Sequence, residues 1–195
     1  MSGRDHRTDR EGWEGILMPG EEILWQGRPD PSLLFGPKQL GISAFGLVFA
    51  GFAAIWMLLA SSAGGYFWTF GLIHFTVGLA MSFGAFFYAP WRRRHTWYTL
   101  TSQRAFIATD LPLFGRKLKS WPIDGDTAIS YEPGPRATLH FAREFHQTKN
   151  GTRVVPVGFE RIAEGDEVHR LMSGIRTRRL AAEEAGTERT GGRAT

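Results

Sequence analysis

LGISAFGLVFAGFAAIWMLLA (Leu40–Ala60) and YFWTFGLIHFTVGLAMSFGAFFYA (Tyr66–Ala89), joined by SSAGG (Ser61–Gly65), decide how this chain is built. From residue 39 to residue 91 no Asp, Glu, Lys or Arg occurs, a run of 53 positions that ends at Arg92-Arg93-Arg94. At ~1.5 Å per residue the first block makes a helix of roughly 31 Å, close to the ~30 Å thickness of bilayer hydrocarbon. The second block is longer and needs a modest tilt. Tyr66, Phe67 and Trp68 mark one boundary, and Tyr88 and Trp91 the other. Amphipathic rings favour that depth. The rest of the chain is too short and too polar to enclose two such helices in a soluble core. The expectation is therefore a transmembrane hairpin, with spans near 40–60 and 66–89 inside a region 39–91.

The flanks set its orientation. The loop at 61–65 carries no charge, whereas Lys38, Arg92, Arg93 and Arg94 crowd the other end, with Arg28 nearby. Positive flanks remain cytoplasmic, which places both termini in the cytosol of an inner (plasma) membrane protein of bacterial type. Residues 1–38 hold five basic and seven acidic residues, net −2, and residues 92–195 hold eighteen and twelve, net +6. The positive excess can therefore meet anionic lipid. Acids interspersed among these bases, and the lack of any binding motif, argue against nucleic acid as a partner. No cysteine is present, which excludes disulfides, thiolate metal sites and cysteine nucleophiles. The N-terminus, polar and of mixed charge, lacks the pattern of a signal peptide.

Small residues fall into stripes on both spans: Gly46, Ala50, Ala53 and Ala54 on the first, Gly71, His74, Gly78, Ser82 and Ala85 on the second. Such faces let helix backbones approach closely, within the hairpin or between copies. His74 is the one titratable group at membrane depth. With only Thr69, Thr76 and Ser82 as polar neighbours in its helix, a hydrogen-bonded neutral imidazole is expected rather than a proton relay.

From His95 the pattern changes to period two. Strands are expected at 96–101, 104–109, 117–123, 127–131, 137–142 and 152–157, separated by turn signals such as Asp124-Gly125-Asp126 and Lys149-Asn150-Gly151. Val168, Leu171, Met172 and Ile175 then lie at i, i+3, i+4 and i+7, the apolar face of an amphipathic helix over about 166–182. Upstream, Ile23 and Trp25 alternate as a short strand would, so the 16–38 segment is expected to pack on the β-domain or extend its sheet. Residues 1–15 and 183–195 are expected to be disordered tails.

Gly20-Glu21-Glu22-Ile23-Leu24-Trp25-Gln26-Gly27-Arg28-Pro29, the two spans, and Tyr98-Thr99-Leu100-Thr101 with Arg104 together resemble the bacterial pleckstrin-homology-like (bPH) two-span membrane proteins. The resemblance covers roughly residues 17–181. It implies a seven-strand, helix-capped barrel at the cytoplasmic membrane face and supplies no catalytic residues. Pro122 and Pro156 depart from smooth strands and call for edge positions or bulges.

The fold class expected is thus α+β. A two-helix transmembrane hairpin precedes an antiparallel β-barrel or sandwich over 92–182, capped by a C-terminal amphipathic helix. No phosphate-binding loop, nucleophile elbow or metal-binding helix motif occurs, so no catalytic, cofactor or metal residue is assigned. His140 and His146 lie near Glu144 without metal-helix spacing, His146 being expected beyond a turn. Arg92, Arg93 and Arg94 read first as a topology signal. Arg116, Lys117 and Lys119 form a basic cluster able to meet a lipid headgroup. The expected role is non-enzymatic: lipid or protein binding or scaffolding at the membrane, with membrane lipids, a protein partner or a second copy as partners. The alternative is a small membrane enzyme or transporter component using His74 or His140 and His146.

Overall fold

The computed structural model describes residues 12–112, 115–149 and 151–191, with side chains described as far as residue 186. The chain divides into two compact units, residues 30–95 and residues 1–29 with 96–195.

The first unit is a helical hairpin. Helix α1 spans Pro37–Ser62 and opens with Pro37, whose missing N–H costs nothing at a helix start. A short 3-10 turn, Phe67–Thr69, leads into α2, Phe70–Arg94. Both helices are long and apolar enough to cross a membrane. Helix α2 runs five residues past the expected end at residue 89, through Pro90 to Arg94. Three arginines in its last turn face the partial negative charge of a helix C-terminus, which favours the extension.

The helices touch through their smallest residues. A Cβ placed on Gly78 would lie 2.7 Å from the Ala50 backbone nitrogen, and one on Gly46 would lie 2.6 Å from the Gly78 carbonyl oxygen. Only glycine permits that backbone contact. Ser43 and Ser82 hydroxyls add a 2.8 Å hydrogen bond between the helices. The large apolar residues point away: Val48 is 73% exposed, Phe52 68% and Leu58 72%.

Among the described residues the second unit holds seven strands and a helix. Strands β1 (Ile23–Gly27), β2 (Thr96–Thr101), β3 (Arg104–Leu111) and β4 (Gly115–Pro122) form one antiparallel sheet in that order. Strands β5 (Ser130–Glu132), β6 (Ala137–Thr148) and β7 (Gly151–Ile162) form the other. The described strands therefore make two sheets and not a closed barrel. Helix α3, Gly165–Gly191, follows.

One core joins the three layers. Leu100 and Ala105 enter it from the first sheet, Leu139, Phe159 and Ile162 from the second, and Val168, Met172 and Ile175 from α3. Leu171, also on the expected apolar face of that helix, packs at the edge of this core. Aromatic rings thicken the centre, with Phe159 5.5 Å from Trp25, 4.9 Å from Tyr98 and 5.0 Å from Phe141. Such edge and tilted pairs add to the gain from burial alone.

Strand β1 lies upstream of the hairpin in sequence, yet it pairs with β2, the first strand after it. Gln26 stands opposite Thr99 and Gly27 opposite Tyr98. The chain therefore leaves this sheet, runs through α1 and α2, and re-enters the sheet one strand over. Pro122 ends β4 and Pro156 lies in β7, each an outer strand of its sheet, where a missing N–H breaks no ladder.

Several boundaries differ from those expected. Strands β6 and β7 are longer than the expected 137–142 and 152–157 segments, their pairing continuing through exposed residues as far as Thr148 opposite Gly151. His146 consequently lies within β6, not beyond a turn. The expected C-terminal tail is helical as far as Gly191: Glu183, Glu184 and Ala185 favour the extension and no proline interrupts it, against the weak helix preference of Gly186 and Gly191. Of the expected N-terminal tail, Trp13 packs edge-on against Phe106 at 5.1 Å, while residues 1–11 lie outside the described residues.

Candidate functional site

The expected site residues fall into separate places. Within the hairpin, Arg92 and Arg94 are exposed on the last turn of α2, and Arg93 is half-buried. The Arg93 guanidinium donates to the Ser32 carbonyl at 3.0 Å, tying the two ends of the hairpin together. His74 is exposed between the rings of Phe49 and Phe70, at 6.1 and 5.2 Å. Its Nδ1 lies 3.3 Å from the Phe70 carbonyl one turn earlier. Thr69, in the turn before α2, donates to the Tyr66 carbonyl, and Thr76 donates to the Leu72 carbonyl of α2. His74, Thr69 and Thr76 thus pair locally, and Ser82, two turns on, is the one of these polar neighbours that reaches α1, through Ser43.

On β4 the basic cluster is split by the strand's alternation. Arg116 stands opposite Asp110 and donates to its carboxylate at 2.9 Å on the exposed surface. Lys117 and Lys119 take the alternate parity. Lys119 reaches β6 and donates to both carboxylate oxygens of Glu144 at 2.8 and 2.9 Å. His146 Nε2 lies 3.4 Å from the same carboxylate. The Lys119 hydrogen bond holds the Glu144 carboxyl below its usual range against the opposing effect of burial, and His146 adds to the lowering. His140, opposite Gly158 in the middle of β6, belongs to a different part of the strand. Among the described residues no three His, Cys, Asp or Glu side chains gather as a metal site would require. Lys119, Glu144 and His146 form a surface ion cluster.

The motif residues upstream and downstream of the hairpin meet in a network that the sequence did not reveal. The Glu21 side chain is fully enclosed; it receives Arg104 Nη2 at 2.6 Å and Nε at 3.2 Å. The Thr101 hydroxyl and the Met18 N–H donate to it as well. Burial opposes ionisation of Glu21, but the Arg104, Met18 and Thr101 hydrogen bonds together hold its carboxyl below the usual range. Arg104 also donates to the Ile16 carbonyl at 3.0 Å. A satisfied buried charge of this kind fixes register and does not offer a reactive group. It clamps the segment from Ile16 to Glu21 over the outer face of the first sheet.

That clamped segment creates a feature sequence reasoning missed. Trp13 and Ile16 form one wall of a groove of about 740 Å³ whose floor is Trp97, Phe106 and Leu118 on the outer face of β2–β4. Arg28, Arg116 and Lys117 line it as well, and Asp110 is the single carboxylate among its described lining residues. The Arg28 guanidinium lies 4.7 Å above the Trp97 ring, and that of Arg104 4.8 Å above Phe106. These are cation–π distances. The signal that could have exposed this groove was Trp13, a large aromatic in an otherwise polar stretch.

Comparison with protein families, with curated proteins and with solved structures finds no match for this chain.

Proposed function

We propose that this chain is a non-enzymatic integral membrane protein whose hairpin carries a cytoplasmic pleckstrin-homology-like domain for binding or scaffolding. The observation that carries the reading is the interruption of one sheet by two apolar helices. Because β1 and β2 are hydrogen-bonded neighbours, the chain must return to the side from which it left. A double crossing meets that condition; a single crossing does not. The large apolar side chains of α1 and α2 stand outside the hairpin, where lipid would cover them at no cost.

The pleckstrin-homology-like part of the proposal is supported by four strands, then three, then a packed C-terminal helix. The resemblance of the segments around Glu21 and Arg104 supports it too. A binding role fits a domain whose most connected buried charges are spent on holding its own fold. Arg92, Arg93 and Arg94 would act as the topology signal on the cytoplasmic side.

Alkaline phosphatase fused within 61–65 is expected to be active and fused after Arg94 to be silent. The reverse pattern sinks the topology. The rival enzyme or transporter reading is tested by replacing His74, His140 and His146 with Ala together. Normal abundance and normal cellular phenotype are expected, and a specific loss of function at normal abundance would favour the rival.

A further inference from the structure

We infer that the groove on the outer face of the first sheet binds one anionic phospholipid, its acyl chain on the aromatic floor and its phosphate at the basic rim. The inference rests on the membrane reading proposed above and adds a site and a ligand class to it. The groove's ~740 Å³ falls within the roughly 300–1,000 Å³ of sites that enclose small molecules. Its accessible surface is largely apolar, with Trp97 and Leu118 below and Trp13 and Ile16 beside, while Phe106, only 2% exposed, lies buried beneath Trp13. A simple water-soluble anion would leave that surface unused.

The rim excludes a purely apolar ligand. Arg28 and Arg116 outnumber the one carboxylate among the described lining residues, Asp110, to which Arg116 donates; Lys117 takes the other parity of β4 and adds no side chain to this rim. Cations bordering an aromatic trough match a molecule with an anionic head and a hydrocarbon tail. Chain connectivity supplies the same ligand. Arg28 precedes the first residue of α1 by nine positions, and Trp97 follows Arg94, the last residue of α2, by three. The groove is thus built from residues next in sequence to both proposed membrane crossings. Trp at such positions is typical of interfacial anchoring, and basic residues there favour anionic lipid.

The Glu21–Arg104 clamp gives the site its wall. Arg104 holds the Ile16 carbonyl and the Glu21 carboxylate while its guanidinium covers Phe106. Trp13 packs edge-on against the same ring. The wall therefore exists before any ligand arrives, which lowers the ordering cost of binding.

The test is native mass spectrometry of the full chain in a neutral detergent, titrated with dioleoyl phosphatidylglycerol or with dioleoyl phosphatidylcholine. The wild type is expected to retain one phosphatidylglycerol preferentially. Ala108→Trp, which fills the groove from its floor, is expected to abolish that retention. Arg28→Gln with Arg116→Gln is expected to weaken it roughly 25-fold, about fivefold per cation. Lys119→Ala lies outside the groove and is expected to change nothing. Lipid held around α1 and α2 responds to none of these changes.

Equal retention by wild type and by both groove variants overturns the site. Equal retention of phosphatidylcholine overturns the headgroup assignment, and preferential capture of an acidic peptide overturns the lipid. The two arginine substitutions are on the surface and leave the core intact, so the test stands even if Ala108→Trp misfolds. A reversed phosphatase pattern with retention intact would sink the topology alone, and the correct pattern with retention unchanged by the variants would sink the groove alone.

Discussion

In the β-domain the enclosed side chains include Leu100, Leu139, Phe159 and Ile162, all without measurable exposure; in the hairpin the buried residues are Gly46, Ala50, Ala53, Gly71, Gly78, Ser82 and Pro90. The hairpin keeps Val48, Phe52 and Leu58 on its outside, where the β-domain puts Arg143, Lys149 and Arg153. Most large apolar groups are thus sorted in opposite directions in the two units, although the β-domain also leaves Phe145 and Val154 exposed near the β6–β7 end. In water, large apolar groups gain by leaving the solvent, so they occupy the centre. Between helices surrounded by hydrocarbon that gain vanishes, and close backbone contact through small residues decides the packing instead. The contrast supports the proposal that the hairpin lies in lipid.

The comparison breaks first at the hairpin's outer surface. Replacing Val48 and Phe52 with Asp places two carboxylates where lipid is proposed, at a combined cost of about 6 kcal/mol for insertion. Carbonate extraction is expected to release the double variant while leaving the wild type in the membrane. Were both retained equally, α1 would not face lipid.

The matching change inside the β-domain is Phe159→Ala. Removing a fully enclosed ring that touches Trp25, Tyr98 and Phe141 is expected to cost about 3–5 kcal/mol, read by hydrogen exchange in β2 and β6. Exchange in α1 and α2 should stay as it was. A change confined to the helices would contradict the division into two units.

Next in size is the Glu21 node. Arg104→Ala strands a carboxylate that is fully enclosed, at an expected cost of about 3 kcal/mol. The pH dependence has a definite sign. The folded-state carboxyl of Glu21 is depressed, so its contribution is present above the ordinary glutamate value of about 4.3 and lost as pH falls through the lower folded value. Thermal unfolding of the β-domain is expected to shift downward across that acid window, and Glu21→Gln should flatten the shift. An unchanged acid profile in Glu21→Gln would remove this node as its source.

The smallest effect sharpens the contrast between buried and surface charge. Lys119 and Glu144 are paired at 2.8 Å but partly in water, so Lys119→Ala is expected to cost under ~1 kcal/mol by the same thermal measurement. A loss as large as that of Arg104→Ala would mean the exposed cluster is structural after all.

How much of this was readable in advance depended on whether the controlling interaction was local. The charge-free run was legible because membrane-crossing length and composition are properties of a segment alone. Strand β2 was legible to the residue, since Thr96 to Thr101 alternate between two strong turn or boundary signals. The Glu21–Thr101–Arg104 network was not, because it joins residues about eighty positions apart. The groove escaped for the same reason, as Trp13 acquires meaning only beside Phe106. Arg116, Lys117 and Lys119 looked like one patch, yet the two-residue period of β4 and the distant partner Glu144 divide them. Helix α3 outran its apolar stripe because Ala181, Ala182, Glu183, Glu184 and Ala185, all good helix formers, continue where the buried face ends.

The position of β1 has a consequence for synthesis. A ribosome makes Ile23–Gly27 first and cannot supply its partner until Thr96–Thr101 has been translated, after both helices. Closing a flexible loop of that length carries an entropic cost that grows with the logarithm of its length. Once α1 and α2 have zipped together, with Arg93 holding Ser32, most of the loop is no longer flexible and its two ends are delivered side by side. The hairpin then does for β1 and β2 what a two-residue turn does for an ordinary pair of strands. A chain whose helices failed to pair would leave β1 without the partner that β2 supplies, the two strands being kept apart by a long flexible loop.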